Sequence, residues 1–321
     1  MHGIMRIVLV LMVFAAAVAD TAFAALAPGD YEVPLVHKSL RRNYLLHVPP
    51  RASANAPLPV VINFHGGGGN AKTQKWYTGM DAAADRDGYI AVYPNGSGGF
   101  GTRFLTWNAG NCCGVAALNG VDDVGFTLAV IDDLAARTPI DATRIYATGL
   151  SNGSMMAYRL AAEAAERIAA VAGVAGAMTL RNFAPKLPVP VMHMHSLDDE
   201  RALYAGGLGP AFPLTDTRVF HASVEEMLKK WVVHNGCREP GTVAAVVMGK
   251  PGPDAGHTAN RVTYAPCRDG SEVVLWKLAG PGHVWPGGKR DFLPALLGTS
   301  SAVIDANREL WQFFSRFRRA Q

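Results

Sequence analysis

The sequence has little that would suit it to a membrane, to nucleic acid or to a metal cluster. After residue 24 it has no apolar run near the roughly 20 residues that a membrane span needs. Its net charge is only +4, and no basic stripe with interleaved aromatic residues suggests nucleic-acid binding. Its four cysteines include no Cys-x-x-Cys pair of the zinc-binding kind. These absences leave a globular chain, whose 49% hydrophobic content suits a large core.

The N-terminus has the pattern of an export signal. His2 and Arg6 precede an apolar run over 7–19, and Ala22-Phe23-Ala24 then offers a small-x-small cleavage site. We therefore predict that residues 1–24 are a signal peptide, and that residues 25–321 form one soluble domain, secreted or periplasmic, without a membrane span. An uncleaved membrane anchor is the alternative hypothesis.

The remaining chain alternates strand-like and helix-like segments, without repeats or a linker. Strands are predicted over 44–48, 60–64, 89–93, 144–148, 189–195 and 273–278, and helices over 122–136, 224–233 and 302–317. This alternation favours a single α/β domain with a mostly parallel central sheet and helices on both faces.

One motif indicates a nucleophile. Gly149-Leu150-Ser151-Asn152-Gly153 fits Gly-x-Ser-x-Gly and lies between a short strand and an alanine-rich segment. A sharp strand-to-helix turn of this kind holds a serine hydroxyl exposed beyond the sheet edge. Ser151 is therefore the predicted nucleophile, and an ordinary tight turn is the alternative interpretation.

A serine hydroxyl needs a base, and the base needs an acid. His283 lies in a glycine-rich loop just past the last predicted strand, where α/β folds bind ligands. Asp198 and Asp199 follow the preceding strand. The chain order Ser, Asp, His is that of the α/β-hydrolase fold. Spacing alone leaves the choice between the two aspartates open.

The run His65-Gly66-Gly67-Gly68-Gly69 follows another predicted strand and can aim backbone N–H groups at a developing oxyanion. The other donor would be the N–H of Asn152, which follows the nucleophile. A phosphate-binding loop is the rival interpretation, but the run lacks the Gly-Lys-Ser/Thr ending that such loops use.

His193 and His195, with Asp199, allow a second hypothesis, a hydrolytic metal site. Histidines inside a strand that leads to a catalytic acid are more often packed and hydrogen-bonded. We therefore predict no metal and no organic cofactor.

Export would keep the cysteines in an oxidising compartment, where disulfides persist. Four cysteines allow three pairings. Cys237 with Cys267 is the simplest choice, which leaves the adjacent Cys112 and Cys113 as free thiols or as a vicinal disulfide.

Seven segments together resemble a known family. They are Phe64–Gly67, Tyr93–Gly96, Trp107-Asn108 with Cys112–Gly114, Val121–Phe126, Gly149–Met155, Asn235–Cys237 and Gly282–Gly288. With them the chain resembles the secreted esterases that include polyhydroxybutyrate depolymerases and bacterial feruloyl esterases, grouped with carbohydrate esterase family one. The resemblance implies a serine esterase that hydrolyses carboxylic esters through an acyl-enzyme. Its substrate would be a small or oligomeric ester, from plant cell wall or polyester.

The resemblance also bears on individual residues. The family reads His-Gly-x-x-Asp before its acid, and counting from His195 makes Asp199 that acid, while Ser196 replaces the family's glycine. It also places Cys237 and Cys267 near the histidine loop.

The expected oxyanion donors are then Gly67 and Asn152. Trp107, Tyr204 and Trp285 are candidate walls of the substrate cleft. A catalytically silent α/β-hydrolase-fold protein that binds carbohydrate or polyester is the alternative function.

Overall fold

The computed structural model describes residues 25–52, 56–212, 216–290 and 292–319. The predicted signal peptide, 1–24, lies outside these residues. Within the described ranges, no helix combines the length and the apolar character that crossing a membrane requires.

Strands and helices alternate along most of the chain. The strands are β1 Gly29–His37, β2 Leu40–Val48, β3 Leu58–Phe64, β4 Ile90–Pro94, β5 Ile140–Leu150, β6 Ala170–Val174, β7 Val191–Ser196, β8 Gly207–Leu208, β9 Phe220–His221, β10 Thr242–Met248, β11 Thr258–Tyr264 and β12 Val273–Ala279. The helices are α1 Ala71–Thr78, α2 Met80–Asp87, α3 Gly114–Leu118, α4 Asp123–Ala135, α5 Asn152–Glu163, α6 Val224–Asn235, α7 Pro294–Leu297 and α8 Ala306–Phe314.

Ten of the strands form one sheet in the order β1-β2-β4-β3-β5-β6-β7-β12-β11-β10. Neighbouring strands are parallel from β4 through to β12 and antiparallel towards both edges. The remaining pair, β8 and β9, forms a short separate hairpin. The predicted mostly parallel sheet is confirmed.

Side chains alternate between two hydrophobic cores, one on each face of the sheet. Val60, Ile62 and Phe64 of β3 enter one core, and Val61 enters the other. The first core contains residues of α4, α5 and α6, and the second contains residues of α1, α2 and α8. A strand buried on both faces has a nearly continuous apolar sequence, which is how β3 was identified.

The closing helix is shorter than predicted. The expected helix over 302–317 begins at Ala306, because the side chain of Asp305 accepts the N–H of Arg308 at 3.1 Å and caps the first turn. Strands β1 and β6 are additions that the sequence did not predict.

Strand register brings the predicted functional loops together in pairs. Phe64 at the end of β3 pairs with Gly149 of β5, so the glycine run and the serine motif leave the sheet side by side. Ser196 at the end of β7 pairs with Leu278 of β12, so the aspartate loop lies beside the histidine loop. All four loops leave the same edge, because these strands are parallel.

Candidate active site

Ser151 occupies the sharp turn that the motif predicts. Its φ of 57° and ψ of −121° lie outside the ordinary regions for a residue other than glycine. It stands at the junction of β5 and α5, its backbone N–H donates to Val174 O at 2.8 Å, and the residue is half-buried. The turn therefore holds the serine rigidly at the carboxyl edge of the sheet.

The glycines around Ser151 are required by close packing. A Cβ on Gly153 would overlap the carbonyl oxygen of Phe64, and a Cβ on Gly149 would lie 2.5 Å from the carbonyl carbon of Gly153. Glycine is thus the residue that lets α5 start directly against the end of β3. The nucleophile turn and the glycine run consequently form one tightly packed unit.

Two backbone N–H groups beside the serine lack acceptors. Among the residues that the structure describes, neither Gly67 N–H nor Asn152 N–H donates a hydrogen bond to the protein. The two residues are close, since a Cβ built on Gly67 would lie 3.6 Å from the Cβ of Asn152. Unpaired N–H groups at the start of a helix and in a glycine loop can bind an oxyanion.

The Asn152 side chain fixes this arrangement. Its Oδ1 accepts the backbone N–H of Trp107 at 2.7 Å, and its Nδ2 donates to Trp107 O at 3.1 Å. The Trp107 indole N–H in turn donates to His65 O at 2.9 Å. One buried tryptophan therefore connects the serine turn to the glycine run.

His65 is held as a neutral ring at the base of the glycine run. Its Nε2 accepts the N–H of Gly96 at 2.9 Å, so its Nδ1 carries the hydrogen and donates to Gly66 O at 2.8 Å. Burial lowers the pKa of His65 to about 4, with a small opposing effect of the Gly66 carbonyl. The ring is thus uncharged at neutral pH and serves to shape the loop.

His283 and Asp199 form a buried acid–base pair. His283 Nδ1 lies 2.7 Å from Asp199 Oδ2, and both side chains are almost fully buried. Asp199 Oδ1 accepts the backbone N–H groups of Arg201 and Ala202, each at 2.8 Å. Burial alone would raise the pKa of Asp199, but the charge of His283 and hydrogen bonds from His195 and His283 outweigh it and hold the pKa well below its usual range.

Asp198 has a different environment. It is exposed, and its Oδ2 accepts the N–H of Gly280 at 2.6 Å instead of meeting the histidine ring. The neighbouring Ser196 accepts the N–H of Asp198 at 3.1 Å and donates its hydroxyl hydrogen to Pro281 O at 2.5 Å. The serine that replaces the family's glycine therefore ties the aspartate loop to the histidine loop.

Ser151 and His283 lie at the same sheet edge, but the structure records no hydrogen bond between their side chains. Of the described residues, none accepts a hydrogen bond from Ser151 Oγ. Hydrogen bonds between catalytic groups are often long in free enzymes and shorten in the substrate complex, so this does not exclude the pairing.

The three aromatic residues assigned to the cleft are buried. Trp107 and Trp285 are fully buried, and the Trp285 indole N–H donates to Asn307 at 3.3 Å. The Tyr204 hydroxyl donates to Glu225 at 2.6 Å, and the centroid of its ring lies 5.7 Å from that of His195. The interpretation of Trp107 and Trp285 as walls of an open cleft is therefore wrong: both rings stabilise loops through buried N–H groups.

The alternative metal hypothesis is contradicted by the ring contacts of the two histidines. His193 Nε2 lies 3.0 Å from His195 Nδ1, and the other nitrogen of each ring contacts Tyr158 Oη and Ala202 O, respectively. Each ring nitrogen has a protein partner, so neither ring presents a lone pair to an ion.

Sequence reasoning missed the residues that approach the site from the segment after Asp199. A Cβ on Gly67 would lie 3.9 Å from the Phe212 ring, and the Arg201 guanidinium lies 6.0 Å from that ring. His221 is buried, and burial, followed by the charge of His283, lowers its pKa to about 4. This segment has no periodic pattern, so the sequence offers no signal that would bring it to the site.

Both cysteine pairs are disulfides. Cys237 is bonded to Cys267, as predicted, and Cys112 is bonded to Cys113. The first bridge connects the end of α6 to the segment that enters β12, the strand preceding His283.

Known proteins share this sequence and this architecture. The family model "Esterase PHB depolymerase" matches residues 42–225. A putative esterase, NocK, of Nocardia uniformis subsp. tsuyamanensis is 32% identical over 82% of this chain and 76% of its own. A probable feruloyl esterase C of Aspergillus clavatus is 28% identical over 85% of this chain and 83% of its own.

A bifunctional acetylxylan esterase/xylanase of Neocallimastix patriciarum is 26% identical over 86% of this chain, which spans only 33% of that longer protein.

Among solved structures, a dienelactone hydrolase-like promiscuous phosphotriesterase from metagenomic libraries superposes with a TM-score of 0.56 at 14% identity, covering 91% of this chain and 99% of its own. An acetyl xylan esterase from Aspergillus awamori superposes with a TM-score of 0.51 at 14% identity, covering 89% of this chain and 99% of its own. At this identity the two structures establish the α/β-hydrolase fold alone. With the fold and the family match agreeing, the chain belongs to the esterase PHB depolymerase family and is a carboxylic ester hydrolase.

Proposed function

We propose that the protein is a serine esterase that works by two-step acyl transfer through Ser151, His283 and Asp199. The observation that carries the proposal is the 2.7 Å hydrogen bond between His283 and Asp199, at the sheet edge where Ser151 occupies its strained turn. A carboxylate on Nδ1 leaves Nε2 of the neutral ring free of hydrogen. That tautomer is the one able to take a proton from a serine hydroxyl.

In the first step Ser151 Oγ attacks the ester carbonyl carbon while His283 Nε2 accepts the hydroxyl proton. The carbonyl oxygen becomes an oxyanion, which Gly67 N–H and Asn152 N–H bind. Asp199 stabilises the positive charge on the ring. His283 then gives its proton to the departing alcohol, leaving an acyl-serine. In the second step water attacks the acyl carbon and His283 takes a proton from it. His283 then returns that proton to Ser151 Oγ as the bond between Oγ and the acyl carbon breaks and the carboxylic acid leaves.

We further propose that the protein is exported and acts on esters outside the cytoplasm. The Cys237–Cys267 disulfide and the apolar segment over 7–19 support export. The names of its relatives suggest feruloyl and acetyl esters of carbohydrates, and the family description adds hydroxybutyrate oligomers. A panel of these esters with p-nitrophenyl acetate as reference will identify the preferred acyl group.

Replacing Ser151 tests the proposed mechanism. Ser151→Ala is expected to lower kcat on p-nitrophenyl acetate by about 10⁶-fold with an unchanged melting temperature, because only oxyanion binding remains. A kcat within about tenfold of the wild-type value, which corresponds to a barrier change of only ~1.4 kcal/mol, would exclude Ser151 as the nucleophile. A wild-type protein without activity on any ester of the panel would favour the silent, ligand-binding alternative.

The two aspartates provide a matched pair for the acid. Asp199→Asn is expected to lower kcat by about 10⁴-fold, because an amide favours the wrong tautomer of His283. Asp198→Asn, which changes an exposed neighbour, should cost far less. If Asp198→Asn is the more damaging change, Asp199 is not the acid.

A further inference from the structure

A line of buried polar side chains continues behind Asp199, away from Ser151. His195 Nε2 lies 3.2 Å from Asp199 Oδ2, and His195 Nδ1 lies 3.0 Å from His193 Nε2. His193 Nδ1 lies 2.9 Å from the Tyr158 hydroxyl of α5. All four side chains are almost completely buried. Such groups are retained in a core only when each finds a partner.

The hydrogen positions in this line follow from one fixed end. Ala202 O, which can only accept, lies 2.7 Å from His195 Nε2, so that nitrogen carries a hydrogen. In a neutral ring Nδ1 of His195 is then an acceptor, and His193 Nε2 must donate to it. His193 Nδ1 is left as an acceptor for the Tyr158 hydroxyl, which lies 2.9 Å from it and 3.1 Å from its other acceptor, Met192 O. Every bond in the line therefore points from Tyr158 towards Asp199.

The surroundings keep His193 and Tyr158 in this state. Burial holds the pKa of His193 well below its usual value. Burial raises the pKa of the Tyr158 hydroxyl, which keeps its hydrogen. Neither ring contacts a carboxylate other than Asp199 among the described residues.

Resting on the proposed function, we infer that Tyr158, His193 and His195 are positioning residues that orient the Asp199 carboxylate towards His283. Asp199 Oδ1 is fixed by two backbone N–H groups, and Oδ2 receives His283 on one side. The Nε2–H of His195 is shared between Ala202 O at 2.7 Å and the same Oδ2 at 3.2 Å, and restricts rotation of the carboxylate. Tyr158 and His193 act by selecting the His195 tautomer that can donate.

The direction in which His195 shifts the pH dependence of kcat/KM follows from the charges around the Asp199 carboxylate. The titratable and charged groups around the carboxylate are His195, His283, His221 and Arg201. A hydrogen bond donated by His195 withdraws electron density from Asp199. Without that bond the carboxylate attracts the proton of His283 more strongly, so the acid limb of kcat/KM moves to higher pH. A purely structural role would lower the melting temperature and leave that limb in place.

A pair of substitutions at His195 separates these roles. Gln can place an N–H near the position of Nε2, whereas Leu has similar bulk without a donor. We expect His195→Leu to lower kcat by on the order of tenfold or more, to change KM less than about twofold, and to move the acid limb upward by roughly half a pH unit. His195→Gln should recover most of the loss, and Tyr158→Phe should shift the limb less than His195→Leu. Equal profiles for the Leu and Gln variants would overturn the inference.

A measurement on the protein without these substitutions guards against variants that fail to fold. Nitrogen-15 NMR of the imidazole rings, recorded on Ser151→Ala protein near neutral pH, should show His193 and His195 as neutral rings with hydrogen on Nε2. Hydrogen on Nδ1 of either ring would overturn the inference. Because this readout needs no turnover, it stands apart from the proposed function, which fails instead if Ser151→Ala remains active.

Discussion

At the scale of single residues, Phe212 is the side chain that approaches the oxyanion loop from the segment after Asp199. Its ring comes close to Gly67, and the Arg201 guanidinium faces the same ring. An aromatic ring beside the proposed oxyanion donors is placed to contact either the acyl group or the alcohol of a bound ester. We therefore expect Phe212 to form a wall of the substrate cleft.

Removing the Phe212 ring is expected to alter ester preference. Phe212→Ala should lower kcat/KM about tenfold for aromatic or long acyl esters, because apolar contact worth ~1.4 kcal/mol is lost. The kcat/KM for p-nitrophenyl acetate should change by less than about threefold. Phe220→Ala is the matched control, because that ring is 72% exposed on β9. A uniform loss across all esters would show that Phe212 supports the loop and does not contact substrate.

The sequence predicts functional residues where their chemistry has a local signature. Ser151 stands in a motif, and His283 and Asp199 each follow a recognisable strand. Trp107 and Trp285 were misassigned, because an amphipathic ring is equally suited to a cleft and to a core with a backbone acceptor for its N–H. Only the tertiary structure distinguishes these two environments.

At the scale of elements, the loops after β7 and β12 are joined by side chains as well as by the sheet. The Ser196 hydroxyl donates to Pro281 O, and the Asp198 carboxylate accepts Gly280 N–H. His283 follows two residues after Pro281. The position of His283, the proposed base, is thus set partly by the loop that carries Asp199, the proposed acid.

Cutting this connection should affect kcat more than folding. Ser196→Ala is expected to lower the free energy of unfolding by about 1–2 kcal/mol, because a buried carbonyl loses its donor. We also expect kcat to fall severalfold with KM nearly constant, as His283 becomes less well placed. Urea denaturation and steady-state kinetics measure the two effects. If kcat is unchanged while stability falls, the hydroxyl has no influence on the base.

Elements with a strong apolar pattern were predictable, and those with a weak one were not. β3 is buried on both faces and has a nearly continuous apolar sequence. β6 contains only Ala170-Val171-Ala172-Gly173-Val174, whose small residues suit the close approach of α5: a Cβ on Gly173 would overlap Ser154 Oγ. A strand selected for small size resembles a helix or a loop in sequence.

At the scale of the whole molecule, the Cys237–Cys267 disulfide closes a loop with a sequence separation of 30 residues around β10 and β11. Fixing a loop of this length in the unfolded chain stabilises the fold by roughly 3–4 kcal/mol on the chain-entropy model. The double variant Cys237→Ser/Cys267→Ser should therefore have a clearly lower melting temperature.

We expect the double variant to lose amide protection first near His283, because β12 leads directly into that loop. Hydrogen exchange with mass spectrometry measures this. Protection lost uniformly over the sheet would contradict the expected local effect. Peptide mapping without reductant checks the wild-type pairing, and a cross-link from Cys237 or Cys267 to Cys112 or Cys113 would disprove it.

Buried histidines should make the whole fold sensitive to acid. The pKa of His65 is about 4 in the folded protein, against about 6.5 for an unfolded chain. Between these values the unfolded chain binds a proton that the folded protein does not, so the free energy of unfolding decreases as pH falls from about 6.5 to about 4. For His65 the decrease amounts to ~3 kcal/mol, and it ends below about pH 4.

His65→Gln tests this dependence. Gln can accept the N–H of Gly96 but does not titrate, so the variant should lose less stability between pH 6.5 and 4 than the wild type does. Denaturation at three pH values across that window provides the comparison, with His234→Gln on α6 as a matched histidine control. Parallel curves for the wild type and His65→Gln would refute the assignment of this loss to His65.

The close contact between Gly153 and the Phe64 carbonyl also limits the positions near the site at which the protein can accept substitutions. Any larger residue at 149 or 153 forces α5 away from β3, so a mutant library directed at the nucleophile turn will return mostly inactive chains. The segment from Arg201 to Phe212 ends with a ring that approaches Gly67, and it lies outside the parallel strands. Selection for activity on a different ester should therefore draw its successful changes from that segment.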